Sequence, residues 1–246
     1  MEKKATNVWK PENTDKFWEW SSKNKNNVYF SKLVGSGILN LIKKQRKLSG
    51  DFLDYGCGPG FLLEQFLKTG MNCYGCDLSE SSVNIVNEKF FNMKHWNGAK
   101  KIENMKIPFE DNKFDMITCI ETIEHLTDEI LDGVLKELCR ILKPGGVIIF
   151  TTPNNENLEK NFIYCPFCDS EFHKVQHVRS FSKDSLTELL RLYNLKVFYC
   201  KETDLQYYCK LDSLHLFFCK IYYLLNKNIF ERDYVEPHLY IMAIKS

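Results

Sequence analysis

The sequence lacks the features that would place the protein in a membrane or on a nucleic acid. Its 246 residues contain no run of about 18 apolar residues, the length that a membrane-spanning helix needs. Its start lacks the apolar core of a signal peptide. Basic and acidic residues nearly cancel at a formal net charge of +1, so no strongly charged surface is indicated. We therefore expect a cytoplasmic protein without a transmembrane segment and with no clear nucleic-acid partner.

The chain has ten cysteines, yet it lacks the pattern of a disulfide framework. Six of them lie inside apolar, element-like stretches: Cys57, Cys73, Cys76, Cys119, Cys139 and Cys200. Disulfides belong to exported proteins, and no export signal is present. We expect reduced, mostly buried thiols.

Internal repeats and low-complexity segments are also missing, and the chain shows one continuous alternation instead. From residue 50, short apolar runs alternate with helical periodicity, which is typical of a parallel sheet with crossover helices. The predicted strands are 51–55, 72–77, 100–104, 114–120, 146–152, 195–202 and 238–245. The predicted helices are 61–70, 79–91, 127–146 and 182–194. The sequence therefore predicts an α/β fold with seven strands.

Two aromatic regions fall outside this alternation. Residues 1–47 predict either a lid over a site at the strand ends or a packed pair of N-terminal helices. Residues 205–230 predict a core or homodimer contact, or a helix that covers substrate or touches a membrane. We expect a single domain, with 1–47 as lid or helices, 48–200 as the ligand-binding core, 201–236 as an insertion and 237–246 as the final strand.

A glycine-rich turn joins the first predicted strand to the first predicted helix. In "DFLDYGCGPGFLLE", Gly56, Gly58 and Gly60 let the backbone approach a ligand without obstruction by side chains. A dinucleotide fingerprint would need glycine at position 61, where the chain has Phe61. The pattern indicates a nucleotide-binding turn of another kind.

Two carboxylates near this turn indicate which ligand it binds. Asp54 lies in the strand, two residues before Gly56, and is a poor neighbour for a pyrophosphate. A ligand with an ammonium group and no phosphate fits better, and S-adenosylmethionine (SAM) is such a ligand. Asp77 ends the second strand, where its carboxylate can accept hydrogen bonds from both ribose hydroxyls.

Three segments carry a resemblance to a known family: "LDYGCGPG", "YGCDLSE" and "IPFEDNKFDMITCIETIEHL". With them, residues 45–200 and the last strand resemble the class I SAM-dependent methyltransferases. The resemblance implies a Rossmann-like sheet ordered 3-2-1-4-5-7-6, with the last strand antiparallel and helices on both faces. It also implies a set of SAM-binding residues, namely Asp54, Gly56, Cys57, Gly58, Gly60, Asp77, Leu78, Glu103, Asn104 and Ile120.

The segment "CIETIEHL" contains the first candidates for chemistry at the methyl acceptor. Glu121, Glu124 and His125 together could hold a divalent cation, which would lower the pKa of an acceptor hydroxyl and orient it. Alternatively, His125 acts alone as a base or only caps a helix. We take Glu121, His125 and His177 as the catalytic candidates.

Downstream, "TTPNNEN" and "HVRSFSKDSL" are similar to two groups of methyltransferases. One comprises the ubiquinone-pathway O-methyltransferases. The other comprises small-RNA 2′-O-methyltransferases, whose metal is held by residues like Glu121, Glu124, His125 and His177. This resemblance implies a Mg, Mn or Zn ion bound by those four side chains. The chain lacks the basic, aromatic segments with which the RNA enzymes bind RNA.

A competing metal site is indicated by "YCPFCDSEFHKVQH". Cys165, Cys168, His173 and His177 have an acceptable zinc spacing and would form a closed, structural site. His177 cannot easily serve both sets of ligands. The first three residues could instead find another fourth ligand, or the segment could hold packed thiols and surface histidines without metal. We favour His177 as a ligand of the catalytic cation.

The sequence thus predicts a SAM-dependent methyltransferase that acts on a hydroxyl of a small molecule or a sugar-derived metabolite. The alternatives are an RNA 2′-O-methyltransferase and a SAM-binding protein without activity. Arg179 either pairs with an anionic group of the substrate or forms a surface ion pair.

Overall fold

The computed structural model describes residues 3–4, 9, 11–24, 29–167, 169–209 and 237–246. The helices of these segments are α1 (Pro11–Lys23), α2 (Phe30–Gln45), α3 (Phe61–Leu67), α4 (Glu80–Phe90), α5 (Asp128–Ile141) and α6 (Lys183–Leu192). None of the helices described here has the length and hydropathy that a membrane crossing requires. The aromatic region predicted to form a dimer contact lies outside the described residues from residue 210 onwards. Its described part begins with a short 3-10 helix, Leu205–Tyr208, that packs on α2.

Seven of the described strands form one twisted sheet. They are β2 (Asp51–Tyr55), β3 (Asn72–Asp77), β4 (Trp96–Lys101), β5 (Phe114–Ile120), β6 (Leu142–Pro153), β10 (Leu195–Thr203) and β11 (His238–Lys245). Their order across the sheet is β10-β11-β6-β5-β2-β3-β4. When these seven strands are renumbered 1–7 along the chain and read from the β4 edge, the order is 3-2-1-4-5-7-6. Strand β11 is antiparallel to both neighbours. The predicted Rossmann-like class is confirmed.

Four shorter strands form two small sheets outside the main one. Strand β1 (Lys3–Lys4) pairs with β9 (Arg179–Ser180), and β7 (Phe162–Cys165) pairs with β8 (Ser170–His173) in an antiparallel hairpin. The hairpin lies between β6 and α6 in the chain. It therefore belongs to the loops that follow the carboxyl end of β6.

Several predicted elements have different bounds in the structure, among them β4 and α5. Strand β4 ends at Lys101 because Asn104 and Met105 adopt left-handed backbone conformations, at φ +51° and +60°, and turn the chain. Helix α5 ends at Ile141 because Leu142 already pairs with Phe114 in the sheet. A proline at 144 disfavours the helical conformation of the residue before it, which supports this early end.

The sheet buries an apolar layer on each face. Along β6, Ile148 and Phe150 pack towards α5 and α6, while Val147 and Ile149 pack towards α2 and α3. Alternate residues of a strand point to opposite faces, so this one strand serves both layers. The eight described cysteines are free thiols, and four of them are buried within these layers or at their edge.

Candidate functional site

The glycine turn after β2 requires glycine for conformational and steric reasons. Gly56, Gly58 and Gly60 have φ values of +71°, +48° and +78°, which side-chain-bearing residues rarely adopt. A Cβ atom on Gly60 would lie 2.8 Å from the ring of Phe90. The turn is tied to β3 because the backbone N–H groups of Gly56 and Cys57 donate to the carbonyl of residue 76 at 2.9 and 3.1 Å. The predicted ligand-binding turn is therefore held against the end of the neighbouring strand.

Asp77, at the end of β3, organises this edge of the sheet. One carboxylate oxygen accepts a hydrogen bond from the backbone of Gly58 and the other from the backbone of Ser79, both at 2.8 Å. Burial raises the pKa of Asp77, although these hydrogen bonds oppose the shift. Each carboxylate oxygen has a second lone pair, so Asp77 can still accept a ribose hydroxyl.

The other predicted SAM-binding residues also lie along this edge. Leu78 follows β3 and is half exposed, and Ile120 ends β5. The backbone N–H of Ile102 donates to the carbonyl of Asp77 at 2.9 Å, which places Glu103 and Asn104 next to that strand end. The carboxyl ends of β2, β3, β4 and β5 thus carry the predicted set side by side.

Asp54 lies beneath the turn, and its side chain is almost completely buried. It accepts a hydrogen bond from the Thr118 hydroxyl at 2.7 Å. Burial raises the pKa of Asp54 to about 7, against the effect of that hydrogen bond, and the negative charge of Asp77 adds to the rise. A cation bound nearby would favour the ionised form and lower the pKa again.

We expect SAM affinity to depend on the ionisation of Asp54. Below pH 7 the ligand-free carboxyl holds a proton that the ammonium group of SAM would displace, so affinity should fall about tenfold per pH unit. Asp54→Asn should weaken binding above pH 7 and remove this pH dependence. Calorimetry with S-adenosylhomocysteine, which carries the same ammonium group, measures both effects.

Asp51→Asn is the matched control, because Asp51 lies at the opposite end of the same strand. The affinity of this variant for S-adenosylhomocysteine should depend on pH in the same way as that of the wild type. A wild-type affinity that stays constant between about pH 6 and pH 8 would contradict the electrostatic role of Asp54.

A cluster of carboxylates and imidazoles lies directly beside the glycine turn. Strand β5 pairs with β2, so the residues that follow the two strands are neighbours. Thr122 lies against Gly56, because a Cβ atom added to this glycine would be 3.0 Å from the Thr122 hydroxyl. Potential ligand atoms of Glu124, His125 and His177 lie within 4.8 Å of one another. The backbone N–H of Val178 donates to the carbonyl of Glu124 at 2.8 Å, which joins the two chain segments. Three of the four predicted metal ligands therefore converge, with Glu121 beside them.

Glu124 is buried and Glu121 is half-buried, and carboxylate oxygens of both lack hydrogen-bond partners among the described residues. Glu124 is fully buried, and neither of its carboxylate oxygens has a hydrogen-bond partner among the described residues; the same holds for Oε1 of Glu121. Burial raises the pKa of Glu121 to about 8, and burial together with Glu121 raises that of Glu124 well above its ordinary value. Unpaired buried oxygens are costly, so the site fits either protons or a cation.

His125 is held as a neutral imidazole. Its Nδ1 atom lies 3.2 Å from the backbone carbonyl oxygen of Gln176. Because a carbonyl oxygen only accepts hydrogen bonds, Nδ1 must be the donor. The proton is therefore on Nδ1, and Nε2 keeps its lone pair. Burial, helped by His177, lowers the pKa of His125 to about 3. Such an imidazole is a weak base for a hydroxyl proton but has the form that a metal ligand needs.

Glu156 connects His173 and His177 and was not among the residues predicted from the sequence. Its two carboxylate oxygens lie 3.2 Å from Nε2 of His173 and 2.5 Å from Nδ1 of His177. Burial would raise the pKa of Glu156, but the two histidines outweigh it and lower the pKa to about 2. Its position in "TTPNNEN", just after β6, was the available signal, because loops at that edge of the sheet meet the site.

The structure does not bring the alternative zinc ligands together. In the β7–β8 hairpin, Cys165 pairs with Ser170, whereas His173 pairs with Phe162. Three residues along a strand correspond to about 10 Å, so Cys165 and His173 lie at opposite ends of the hairpin. Cys168 lies outside the described residues. His173 and His177 instead contact Glu156.

Arg179 is buried and its guanidinium group is bound within the protein. It donates from Nη2 to the carboxylate of Asp128 and from Nε to the carbonyl of Leu126, both at 2.9 Å. These contacts hold the loop that follows His125. Arg179 is therefore a buried side chain whose partner at the start of α5, Asp128, is largely exposed, and a substrate anion would have to compete with Asp128.

Helix α1 covers this edge of the sheet from the cofactor residues to the cluster. Glu19 accepts hydrogen bonds from the hydroxyls of Ser79 and Ser81 at the start of α4. The Trp18 ring meets the His125 ring edge to face at 5.1 Å. Within residues 1–47, α1 contacts the strand-end residues Ser79 and His125, whereas α2 packs into the core; the lid stays a prediction.

Comparison with known proteins places these features in a family. Residues 29–199 match the family described as "Methyltransferase domain". A ubiquinone biosynthesis O-methyltransferase from Coxiella burnetii (strain Dugway 5J108-111) is 34% identical over 124 residues, which are 50% of this chain and 52% of that protein. The chain thus matches about half the length of such relatives.

Solved structures show the same fold at low sequence identity. An S-adenosylmethionine-dependent methyltransferase from Clostridium acetobutylicum ATCC 824 has a TM-score of 0.62 at 16% identity, over 93% of this chain and 97% of the other. The 1,6-didemethyltoxoflavin-N1-methyltransferase of Burkholderia thailandensis, with bound 1,6-didemethyltoxoflavin and S-adenosylhomocysteine, has a TM-score of 0.63 at 14% identity, over 98% of this chain and 93% of the other.

Proposed function

This chain belongs to the class I SAM-dependent methyltransferases, and on that premise we propose that it transfers the methyl group of SAM to a hydroxyl oxygen of a small molecule or sugar-derived metabolite. The similarity to ubiquinone biosynthesis O-methyltransferases supports oxygen as the acceptor atom. The near-neutral charge of the chain supports a small acceptor over RNA.

The observation that carries this proposal is the position of the Glu124, His125 and His177 cluster beside the glycine turn. Methyl transfer from a sulfonium is an in-line displacement, so the acceptor oxygen must lie close to the methyl group. A hydroxyl held by the cluster would lie next to a donor held by the turn. The turn and the cluster are thus placed so that a methyl group can pass from a donor on the turn to an acceptor on the cluster.

The residues present fit a divalent cation, and we propose that Glu121, Glu124, His125 and His177 hold one. Buried carboxylate oxygens without partners and the neutral imidazole of His125 are suitable ligands for such an ion. When bound, such an ion would lower the pKa of the acceptor hydroxyl and orient it. Two imidazoles among four ligands favour Mn or Zn over Mg.

The chain's own groups account for the proton that the reaction releases. The hydroxyl loses its proton as its oxygen gains the methyl group, and SAM becomes neutral S-adenosylhomocysteine. We propose that Glu121, which would be ionised when the cation is bound, accepts that proton on a carboxylate oxygen and passes it to solvent. Trp18, against His125, would exclude water from the same space.

A methyl-transfer screen tests the proposal. Purified protein with radiolabelled SAM is offered catechols, other phenols, sugar-derived alcohols and, in parallel, RNA with a free 3′ end, each with Mn²⁺, Zn²⁺, Mg²⁺ or chelator. We expect label on a small hydroxylated compound, with loss of transfer in chelator. Label on RNA alone, or SAM binding without transfer to any acceptor, would contradict the proposal.

A further inference from the structure

The ligand atoms of Glu156, His173 and His177 are also close enough together to hold a cation. The hydrogen bonds of His173, however, indicate a role other than metal binding. The Nδ1 atom of His173 accepts hydrogen bonds from the backbone N–H groups of His177 at 3.0 Å and Val175 at 3.4 Å. The proton of this imidazole is therefore on Nε2. A cation on Nε2 would require the proton on Nδ1, directly against two N–H donors. His173 is thus a hydrogen-bond donor to Glu156.

Glu156 consequently receives donors from several directions. Besides Nε2–H of His173, the side-chain amide of Asn161 donates to Oε1 at 2.8 Å. Its other oxygen lies 2.5 Å from Nδ1 of His177. An ionised carboxylate accepts only, so this contact puts a proton on Nδ1 of His177 and leaves Nε2 as the nitrogen that carries the lone pair in the neutral imidazole.

We propose that Glu156, supported by His173, is a positioning residue that fixes His177 in the tautomer whose Nε2 atom can bind the catalytic cation. This inference rests on the cation of the proposed function. A carboxylate that holds the far nitrogen of a metal-bound histidine fixes the ring and strengthens it as a ligand. Glu156 therefore acts through His177, without contact to the cation.

Glu156→Gln tests this role. The amide offers one oxygen and one N–H₂ group, so one of the two imidazole N–H groups loses its acceptor. We expect Mn²⁺ to bind about 10- to 100-fold more weakly, as measured by calorimetry without SAM or acceptor. S-adenosylhomocysteine affinity should not change, because the turn and Asp77 do not contact Glu156. Glu159→Gln is the matched control, since Glu159 is an exposed carboxylate three residues further on, in the short 3-10 helix Leu158–Asn161.

Nitrogen-15 NMR of the metal-free wild type provides a readout that needs neither the cation nor the variant. His177 should show a protonated Nδ1 and His173 a protonated Nε2. A protonated Nε2 on His177 would overturn the inference even if Glu156→Gln does not fold. So would wild-type Mn²⁺ affinity in Glu156→Gln. Absence of Mn²⁺, Zn²⁺ and Mg²⁺ binding to the wild type would instead refute the proposed cation, while the NMR result still decides the tautomer.

Discussion

His177→Ala is expected to abolish methyl transfer while SAM binding persists. His177 shares a cluster with Glu124 and His125, and its loss removes one ligand of the proposed cation and opens the acceptor site. We expect kcat to fall about 10³-fold, within the range for removal of a positioned catalytic group. The turn and Asp77 make no contact with His177, so S-adenosylhomocysteine affinity should change by less than about twofold.

Two measurements make this expectation specific. Cys165→Ser removes a ligand of the alternative zinc set only, and should leave both turnover and Mn²⁺ affinity at wild-type values. Metal analysis of the purified wild type and both variants should show loss of metal in His177→Ala alone. If His177→Ala fails to bind S-adenosylhomocysteine, the separation of the two half-sites is wrong. If Cys165→Ser loses both metal and stability, a structural zinc is present.

A divalent cation is expected to stabilise the protein, and more strongly at pH 8 than at pH 5. The folded-state pKa values of Glu121 and Glu124 are raised by burial above their ordinary value of 4.5. The folded state therefore binds more protons than the unfolded chain. The contribution of these two protonated carboxyls to the free energy of unfolding is fully present below about pH 4.5. It is lost as the pH rises towards about 8. A cation replaces the missing protons and restores that stability.

The size of the effect follows from mass action. At a cation concentration of about 100 Kd, binding to the folded state alone adds about 2.7 kcal/mol. For a chain of this length, that corresponds to a rise in Tm of about 5–10 °C. Thermal unfolding at several pH values, with Mn²⁺ or with chelator, measures it. Carboxyls with lowered pKa, such as Glu19 and Glu156, lose their contribution only below this pH window.

Glu124→Gln separates this effect from non-specific binding of cations. The variant removes the charge, so the metal-free protein should lose less stability as the pH rises and Mn²⁺ should no longer raise Tm. Glu159→Gln should behave like the wild type. An equal rise in Tm at pH 5 and pH 8 would show that the cation binds elsewhere.

Several features of the fold follow from local rules and were predictable from the sequence. The predicted bounds of β2, β3, β5 and β11 agree with the structure, because apolar runs and turn residues define them locally. The positions of Gly56, Gly58 and Gly60 depend on φ values that glycine alone adopts easily. Strand β4 was misplaced because the left-handed turn at Asn104 and Met105 has no local signal as strong as a glycine.

The site itself was predictable only in part. Glu124 and His125 are neighbours in the chain, but their contact with His177 depends on the loop after the β7–β8 hairpin. Glu156 escaped prediction because an acidic residue in a loop after a strand has no spacing that marks it. The zinc spacing that includes Cys165 gave no indication of the hairpin register, which separates Cys165 from His173.

The sequence by itself determined the class of fold, the family and the position of the glycine turn. These depend on backbone conformation and on the period of apolar residues, which act over a few positions of the chain. Only the tertiary structure decided which imidazole nitrogens carry protons, which carboxylates lack partners and which of two candidate metal sites converges. Those properties arise where the loops after β5, β6 and β8 meet, because burial and hydrogen bonds between distant segments set them.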